Sequence, residues 1–450
     1  MKNRLSTFIL FTFILSIIAG CKSMKSELNE SGVTAIDITE FLNSMGACSS
    51  VGARGETVEE TIKCLDYTGL RWLRVGFEDD VPIEDFIKVH NQTGVVYSYG
   101  LLSGHSDIDR LLSDAKRLAT AGALLALEGS NEPNNWGISY QNELGGRDNS
   151  WLPVAKMLRD LYTTAKNDTF LKNYPVWSIS ENGAQVDNVG LQFLTIPDET
   201  ETLMPSGTQY ADYANCHNYI THPSWPGLHD NQTWLSSSPT KYCPIDGLYG
   251  NYGNTWLKKF IGYSDQEMIN LPRVTTETGF SVDEKLGVTE EIQACLYLNL
   301  YLSQFKQGWK QTAIYLLKGR ADEPTHESFA FYTLDYKPKK AAHYLHNFST
   351  ILVDEKGAGK IGKLDYEIPY QPATTHDLLL QKNNGNFILI LWGERFKSGG
   401  TDDVTVRFGK KFKTIKIYDP TKGVTEIKQY KNRDAVELSL SNHPIILEIS

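Results

Sequence analysis

Apolar positions along the chain alternate between two spacings. Short continuous runs, such as Leu124–Leu127, suit strands buried on both faces, and longer stretches with apolar residues three or four apart suit amphipathic helices. The pattern predicts strands around Ile36–Ala47 and at Trp72–Gly76, Val95–Leu101, Leu124–Ser130, Val176–Ser180, Asp212–Tyr219, Arg273–Glu277 and Ala313–Leu317. Helices are expected at Thr57–Thr68, Val81–Thr93, Ile108–Ala121, Trp151–Asn167, Trp256–Gly262, Glu290–Gly308 and Pro338–Ile351. Strand and helix in regular alternation predict a parallel (β/α)8 TIM barrel. Thr221–Asn254 breaks the rhythm as a long loop carrying Trp225, Trp234, Tyr242, Tyr249 and Tyr252, some for sugar faces and some to pin the loop.

After about Asp354 the helical period disappears. Phe387–Trp392, Val404–Phe408, Lys413–Tyr418, Val424–Tyr430, Ala435–Leu440 and Ile445–Ile449 are short β-rich runs separated by turn signals such as Asn383–Asn386 and Ser398–Gly400. They predict a small C-terminal all-β sandwich, so the fold class is α/β with an appended β domain. The expected boundaries are 34–353 for the barrel and 354–450 for the sandwich. No flexible linker separates them, which favours a structural buttress over a glycan-binding module.

Composition changes this picture little: 450 residues, 41% hydrophobic and 22% charged, are ordinary for a globular protein. The net charge of −10 argues against nucleic acid or an anionic membrane surface as partner. The N-terminus changes it more. Lys2 and Arg4 precede an apolar stretch, Phe8–Ile18, too short to span a bilayer comfortably, and Ile18-Ala19-Gly20-Cys21 resembles a bacterial lipoprotein cleavage box. Residues 1–21 are therefore expected to be a signal peptide with Cys21 lipidated, and 22–33 a polar tether. The expected location is the bacterial cell envelope, with the membrane touched only through the lipid. The other cysteines are Cys48, Cys64, Cys216, Cys243 and Cys295; Cys48–Cys64 and Cys216–Cys243 are possible pairs, and buried thiols are an equal reading. No spacing suggests a metal site.

The candidate chemistry lies where strands meet turns. Leu124–Asn134 runs from an apolar strand into Ser130-Asn131-Glu132-Pro133, and Pro133 ends any ladder, so Glu132 is held at a strand's C-terminal mouth. Leu271–Phe280 similarly ends in Glu277. Two carboxyl groups facing each other across a barrel are what double displacement at a glycosidic carbon requires, with one protonating the leaving oxygen and the other attacking the anomeric carbon. Glu181, at another strand end, is a weaker rival. Arg74 alternates with apolar neighbours and should point inward, with Glu128 as a candidate partner. His217 and Tyr219 share a strand face.

Asn131-Glu132-Pro133 and Thr276-Glu277-Thr278-Gly279 together resemble clan A of the glycoside hydrolases, over roughly residues 40–350. The resemblance implies that Glu132 is the acid/base and Glu277 the nucleophile. It implies that Arg74 and Tyr219 hold Glu277, that His217 contacts Glu132 or sugar hydroxyls, and that Asn131 bonds the 2-hydroxyl. Many relatives end the eighth strand in Trp, whereas this chain reads Tyr315-Leu316-Leu317-Lys318. Lys318 or Tyr315 would then line the floor; Lys318 would suit an acidic sugar, or else pair with Asp322 or Glu323. Trp136, in the Gly-rich loop after Glu132, is a further candidate for substrate contact, and His105 either lines the cleft or caps the following helix. The implied activity is retaining hydrolysis of β-linked oligo- or polysaccharides by a monomer, without cofactor or metal. The alternatives are a non-catalytic surface glycan-binding lipoprotein and a transglycosidase on the same barrel.

Overall fold

The structure, a computed structural model, describes residues 32–450 except 78–79, 134, 148, 151, 181–203, 206, 221–226 and 238–271. The expected signal peptide, Cys21, Cys243, Glu181, Trp225, Tyr242, Tyr249, Tyr252 and the helix expected at Trp256–Gly262 lie outside the described residues.

Eight parallel strands form one sheet: β1 (Met45–Cys48), β2 (Trp72–Gly76), β3 (Val96–Leu101), β4 (Leu124–Ser130), β5 (Val176–Trp177), β6 (Ala214–Cys216), β7 (Arg273–Thr278) and β8 (Trp309–Ile314). Their order is β6-β7-β8-β1-β2-β3-β4-β5. The ends meet through a parallel bridge between Trp177 and Tyr213, with Ser178 N donating to Tyr213 O at 3.0 Å and Asp212 N to Val176 O at 2.7 Å. The barrel is thereby closed.

Local chemistry accounts for the helices around it. α1 (Val58–Thr68) starts where the Thr57 hydroxyl accepts from Glu60 N, and it stops at Gly69. α2 (Ile83–Thr93) follows β2, and α3 (Ile108–Ala121) is capped by Asp107, which accepts from Arg110 N at 2.9 Å. Gly69 and Gly122 both take left-handed φ, 71° and 78°, which a Cβ would resist. α4 (Leu152–Asn167), α5 (Gln232–Ser237), α6 (Glu290–Lys306) and α7 (Lys340–Leu352) complete the described set. Among the described residues no helix is long and apolar enough to cross a membrane.

The N-terminal segment differs from expectation. Ile36–Asp37 pairs in parallel with Leu380–Gln381 in the C-terminal sheet, and Val33–Thr34 pairs with Lys363–Leu364. A short helix, Ile38–Ser44, then leads into β1. Its buried residues Ile38, Phe41 and Leu42, followed by Met45, already follow a helical spacing. The helix within 232–237 likewise interrupts what reads as one continuous loop.

The C-terminal sheet contains β9 (Thr375–Gln381), β10 (Phe387–Gly393), β11 (Asp402–Tyr418), β12 (Lys428–Leu440) and β13 (Pro444–Ile449). Pairs of predicted strands merge here. Val404–Phe408 and Lys413–Tyr418 are halves of β11, whose ladder with β12 shifts register between Arg407 and Phe412. β9, which carries the Leu378-Leu379-Leu380 run, was not foreseen. Both faces of this sheet are covered. Leu378, Leu380, Ile388, Ile390, Trp392 and Ile446 join the barrel's core, whereas Leu379, Leu389, Leu391, Leu447 and Ile449 line a second core inside the sandwich.

Candidate active site

The C-terminal ends of β2, β4, β6 and β7 converge on one polar cluster. Arg74, from β2, lies at its centre. Its Nη1 donates to Glu277 Oε1 at 2.7 Å, its Nη2 to Glu128 Oε1 at 2.9 Å and to Asn131 Oδ1 at 2.7 Å, and its Nε to Glu128 Oε2 at 3.2 Å. Burial alone would pull the guanidinium pKa down, but Glu128 and Glu277 more than reverse this, so Arg74 stays charged.

Glu128 and Glu277 differ in access. Glu128 is 0% exposed, against 9% for Glu277 and 8% for Glu132. Only the latter two present an oxygen to anything entering the mouth. Glu128 accepts from Arg74 and also from Ser98 Oγ at 2.9 Å, Thr276 Oγ1 at 2.9 Å and Asn215 Nδ2 at 3.3 Å. It is a structural counter-ion that orients the arginine.

Glu277 receives a second donor, Tyr219 OH, on Oε2 at 2.9 Å. Burial, with Glu277 beside it, pushes the Tyr219 phenol well above its usual range, so it remains a donor. Thr276, next to Glu277, also points into the cluster. A regular strand would send neighbours to opposite faces, but the pairing of β7 with β8 shifts register between Thr275 and Thr278, and this irregularity re-aims the side chains.

Glu132 sits at φ +42°, in the left-handed region that a β-strand end seldom uses for a non-glycine residue. Its backbone carbonyl accepts from Asn135 N and Trp136 N, both at 2.8 Å, which closes the turn around Pro133. Its side chain meets His217 Nδ1 at 2.6 Å and Asn135 Nδ2 at 2.9 Å. Burial pushes the carboxyl pKa up, but the hydrogen bond and charge of His217, then Asn135 and Arg74, outweigh it and leave Glu132 below its usual value. His217 Nε2 lies 3.1 Å from Thr276 Oγ1. Each residue of the Glu132–His217–Glu277 group offers an atom within 4.8 Å of the others, the geometry a cation could use. The donor chemistry argues otherwise: a guanidinium already lies 2.7 Å from Glu277, and a divalent cation would face it across a low-dielectric pocket.

The structure thus gathers Arg74, Asn131, Glu132, His217, Tyr219 and Glu277 in one cluster. Trp136 stands 51% exposed beside the Glu132 turn, open to a ligand. Lys318 is a correction. It is buried, donates to its neighbour Gly319 O at 2.9 Å and lies 4.7 Å from the Tyr336 ring centroid, so it neither lines the mouth nor pairs with Asp322 or Glu323. Arg54 and Arg320 take the Glu323 carboxylate instead. Tyr315 occupies the end of β8, its ring centroid 6.4 Å from that of Tyr219 and its hydroxyl tied to Glu323 and His326. His105 caps no helix, that role being Asp107's; it packs against Phe77. Cys48 and Cys64 are buried free thiols, which removes the Cys48–Cys64 pair. Burial pushes the Cys64 thiol up to about 12. Ser98, Asn135, Asn215 and Thr276 were not foreseen; Asn215 shares the parity of His217 and Tyr219, the one signal that pointed to it.

Neither a protein-family model nor a curated protein sequence matches the chain. Solved structures do. A family 39 glycoside hydrolase from Bacteroides cellulosilyticus aligns with a TM-score of 0.56 at 14% identity, covering 92% of this chain and 82% of that one. A 4-O-α-L-rhamnosyl-β-D-glucuronidase from Fusarium oxysporum aligns at 0.54 and 11% identity, covering 93% and 97%. A family 30 subfamily 8 xylanase from Clostridium acetobutylicum aligns at 0.52 and 11%, covering 93% and 96%. At such identities the likeness shows the fold alone: a TIM barrel with a C-terminal β-sandwich, as the sequence pattern predicted.

Proposed function

We propose that the chain is a retaining glycoside hydrolase acting on β-linked oligo- or polysaccharides, with Glu277 as nucleophile and Glu132 as acid/base. The observation that carries this is the unequal support of two accessible carboxyl groups whose facing atoms lie within 4.8 Å. Glu277 is held by a guanidinium and a phenol, the donors that suit an attacking carboxylate. Glu132 is held by an imidazole, which suits a group that must gain and lose a proton. A separation of about 5–5.5 Å is expected for double displacement, and wider pairs leave room for water.

The hydrogen bonds also locate the proton. The single Thr276 hydroxyl proton goes to Glu128 Oε1 or Asn215 Oδ1, and with either acceptor Thr276 Oγ1 accepts from His217 Nε2–H. That arrangement places Nδ1 opposite Glu132 Oε1, and the pair shares one proton across 2.6 Å. Glu132 therefore delivers a proton to the leaving oxygen although its own pKa is lowered, because His217 keeps it adjacent. Attack by Glu277 on the anomeric carbon forms a glycosyl ester and expels the protonated alcohol. Glu132 then takes a proton from water, which attacks the same carbon and releases Glu277. Asn131 bonds the sugar 2-hydroxyl, a role supported by its orientation through Arg74 and through its own bond to Ser103 Oγ at 2.9 Å.

The test is hydrolysis of a panel of aryl β-glycosides and β-linked oligosaccharides, with the product anomer read by NMR. Retention is expected, and Glu277→Ala should lower kcat by roughly 1,000-fold or more. An inverted product, or an active Glu277→Ala, overturns the assignment. We further propose that Cys21 carries a lipid in the cell envelope; Cys21→Ser should then move the protein from the membrane fraction to the soluble one.

A further inference from the structure

The C-terminal sheet reaches the catalytic mouth through a continuous chain of hydrogen bonds. Glu394 follows β10 and is 0% exposed. Its carboxyl group accepts from Thr233 N at 3.0 Å and contacts the Thr233 hydroxyl, which also meets Ser303 Oγ at 2.9 Å. Thr233 lies in α5. The segment around α5 is stitched to the same sheet at further points. Asn231 N donates to Glu394 O at 3.0 Å, Lys397 N and Ser398 N donate to Asp230 Oδ1 at 2.9 and 3.0 Å, and Trp234 stacks on His376 with centroids 3.9 Å apart.

The other side of α5 holds the exit of β6. Gln232 Nε2 donates to Ile220 O at 2.5 Å, and Asn218 Nδ2 donates to Ser236 O at 3.3 Å. Between these two anchors lies Tyr219, the donor to Glu277, and just before them His217, the partner of Glu132. We propose that Glu394 is a positioning residue for catalysis: through α5 it sets the placement of Tyr219 and His217 against the two carboxyl groups. The β-sandwich is then part of the apparatus that aims the nucleophile, beyond its role in covering the barrel. Among the described residues no cation pairs with Glu394, and it works through geometry, with its oxygens acting as acceptors for α5.

This inference rests on the reading of Glu132 and Glu277 given above, and the experiment separates the two. Glu394→Ala should lower kcat about tenfold with KM little changed, since a misplaced supporting group costs rate more than binding. Glu394→Gln, which keeps an acceptor oxygen, should recover most of the rate. Lys382→Ala, which removes a different tie between sheet and barrel (Lys382 Nζ to Ile351 O, 2.7 Å), should lower Tm without lowering kcat. In a Tyr219→Phe background Glu394→Ala should lose the part of its effect that passes through the Tyr219 hydroxyl, so the two losses should fall short of multiplying. Independent, multiplying losses, or an unchanged kcat in folded Glu394→Ala, overturn the inference. Should Glu394→Ala fail to fold, Asn218→Ala cuts the same chain and should show the same split; an unchanged kcat there is equally fatal. If the wild-type protein hydrolyses no glycoside, the functional reading fails. The positioning link is then read from amide exchange at Tyr219 and Ile220, which should rise in Glu394→Ala and not in Lys382→Ala; no rise overturns it.

Discussion

Two fully buried glutamates, one in the barrel mouth and one at the junction with the sandwich, show what a neighbouring cation changes. Glu128 and Glu394 are each 0% exposed. Glu128 faces Arg74 at 2.9 Å and is ringed by hydroxyl and amide donors besides. Glu394 has donors but, among the described residues, no cation. Burial pushes its carboxyl up to about 7, and the hydrogen bonds from Thr233, Trp234 and Asn299 recover only part of the cost. The mouth therefore keeps a charge cluster in a low-dielectric interior, where it can act on a substrate. The junction keeps a carboxyl that holds its proton up to near-neutral pH and serves as a geometric key.

Three outcomes would break or sharpen this contrast. The largest effect is expected from Arg74→Met, which makes the mouth resemble the junction but with two carboxyl groups left without their cation. Urea unfolding at neutral pH should show a loss of about 3–5 kcal/mol, with activity abolished. A loss under about 1 kcal/mol would mean that neutral donors suffice and the contrast is empty.

Next comes Glu394→Gln. The folded pKa is raised from 4.5 to about 7, so the folded state holds its proton where the unfolded chain has lost it. The stabilisation this group gives is fully present below about pH 4.5 and falls away as pH rises to about 7. Relative to wild type, Glu394→Gln should therefore gain roughly 3 kcal/mol between pH 4 and pH 8, measured by denaturant midpoints across that range. A difference that does not vary with pH would place the titration elsewhere.

The smallest change is a displacement of a pH profile. Burial pushes Glu132 up and His217 pulls it further down. His217→Phe removes the downward pull, so the protonated acid should persist to higher pH. The basic limb of kcat/KM should then move to more alkaline pH, alongside a lower maximum. A limb that stays in place, or moves to acid pH, would show that His217 does not set the proton affinity of Glu132.

The legibility of these regions in the sequence was unequal. Strand-end carboxyl groups announce themselves through local chemistry: an apolar run, a polar tip, a proline. Glu132 and Glu277 were visible for that reason, as were Arg74, His217 and Tyr219 by parity. Lys318 was misplaced because a residue four positions past a strand can turn either way, and its ammonium turned onto Tyr336. Thr276 was missed because strict alternation excludes it, and only the register shift in β7 brings it inward. Glu394 had no signal at all. Its partner Thr233 is 161 positions away, and nothing local says that the loop after β6 folds back onto the sandwich.

By itself the sequence determined the alternation of strands and helices, their caps, and which acidic side chains end at the barrel's mouth, since these depend on neighbours within a few residues. The tertiary structure alone decided that Ile36–Asp37 belongs to the far sheet, and that the sandwich touches the support of the candidate active site. Those outcomes depend on pairs 161 or more residues apart, whose approach is set by the packing of whole elements against one another and leaves no periodic trace in the chain.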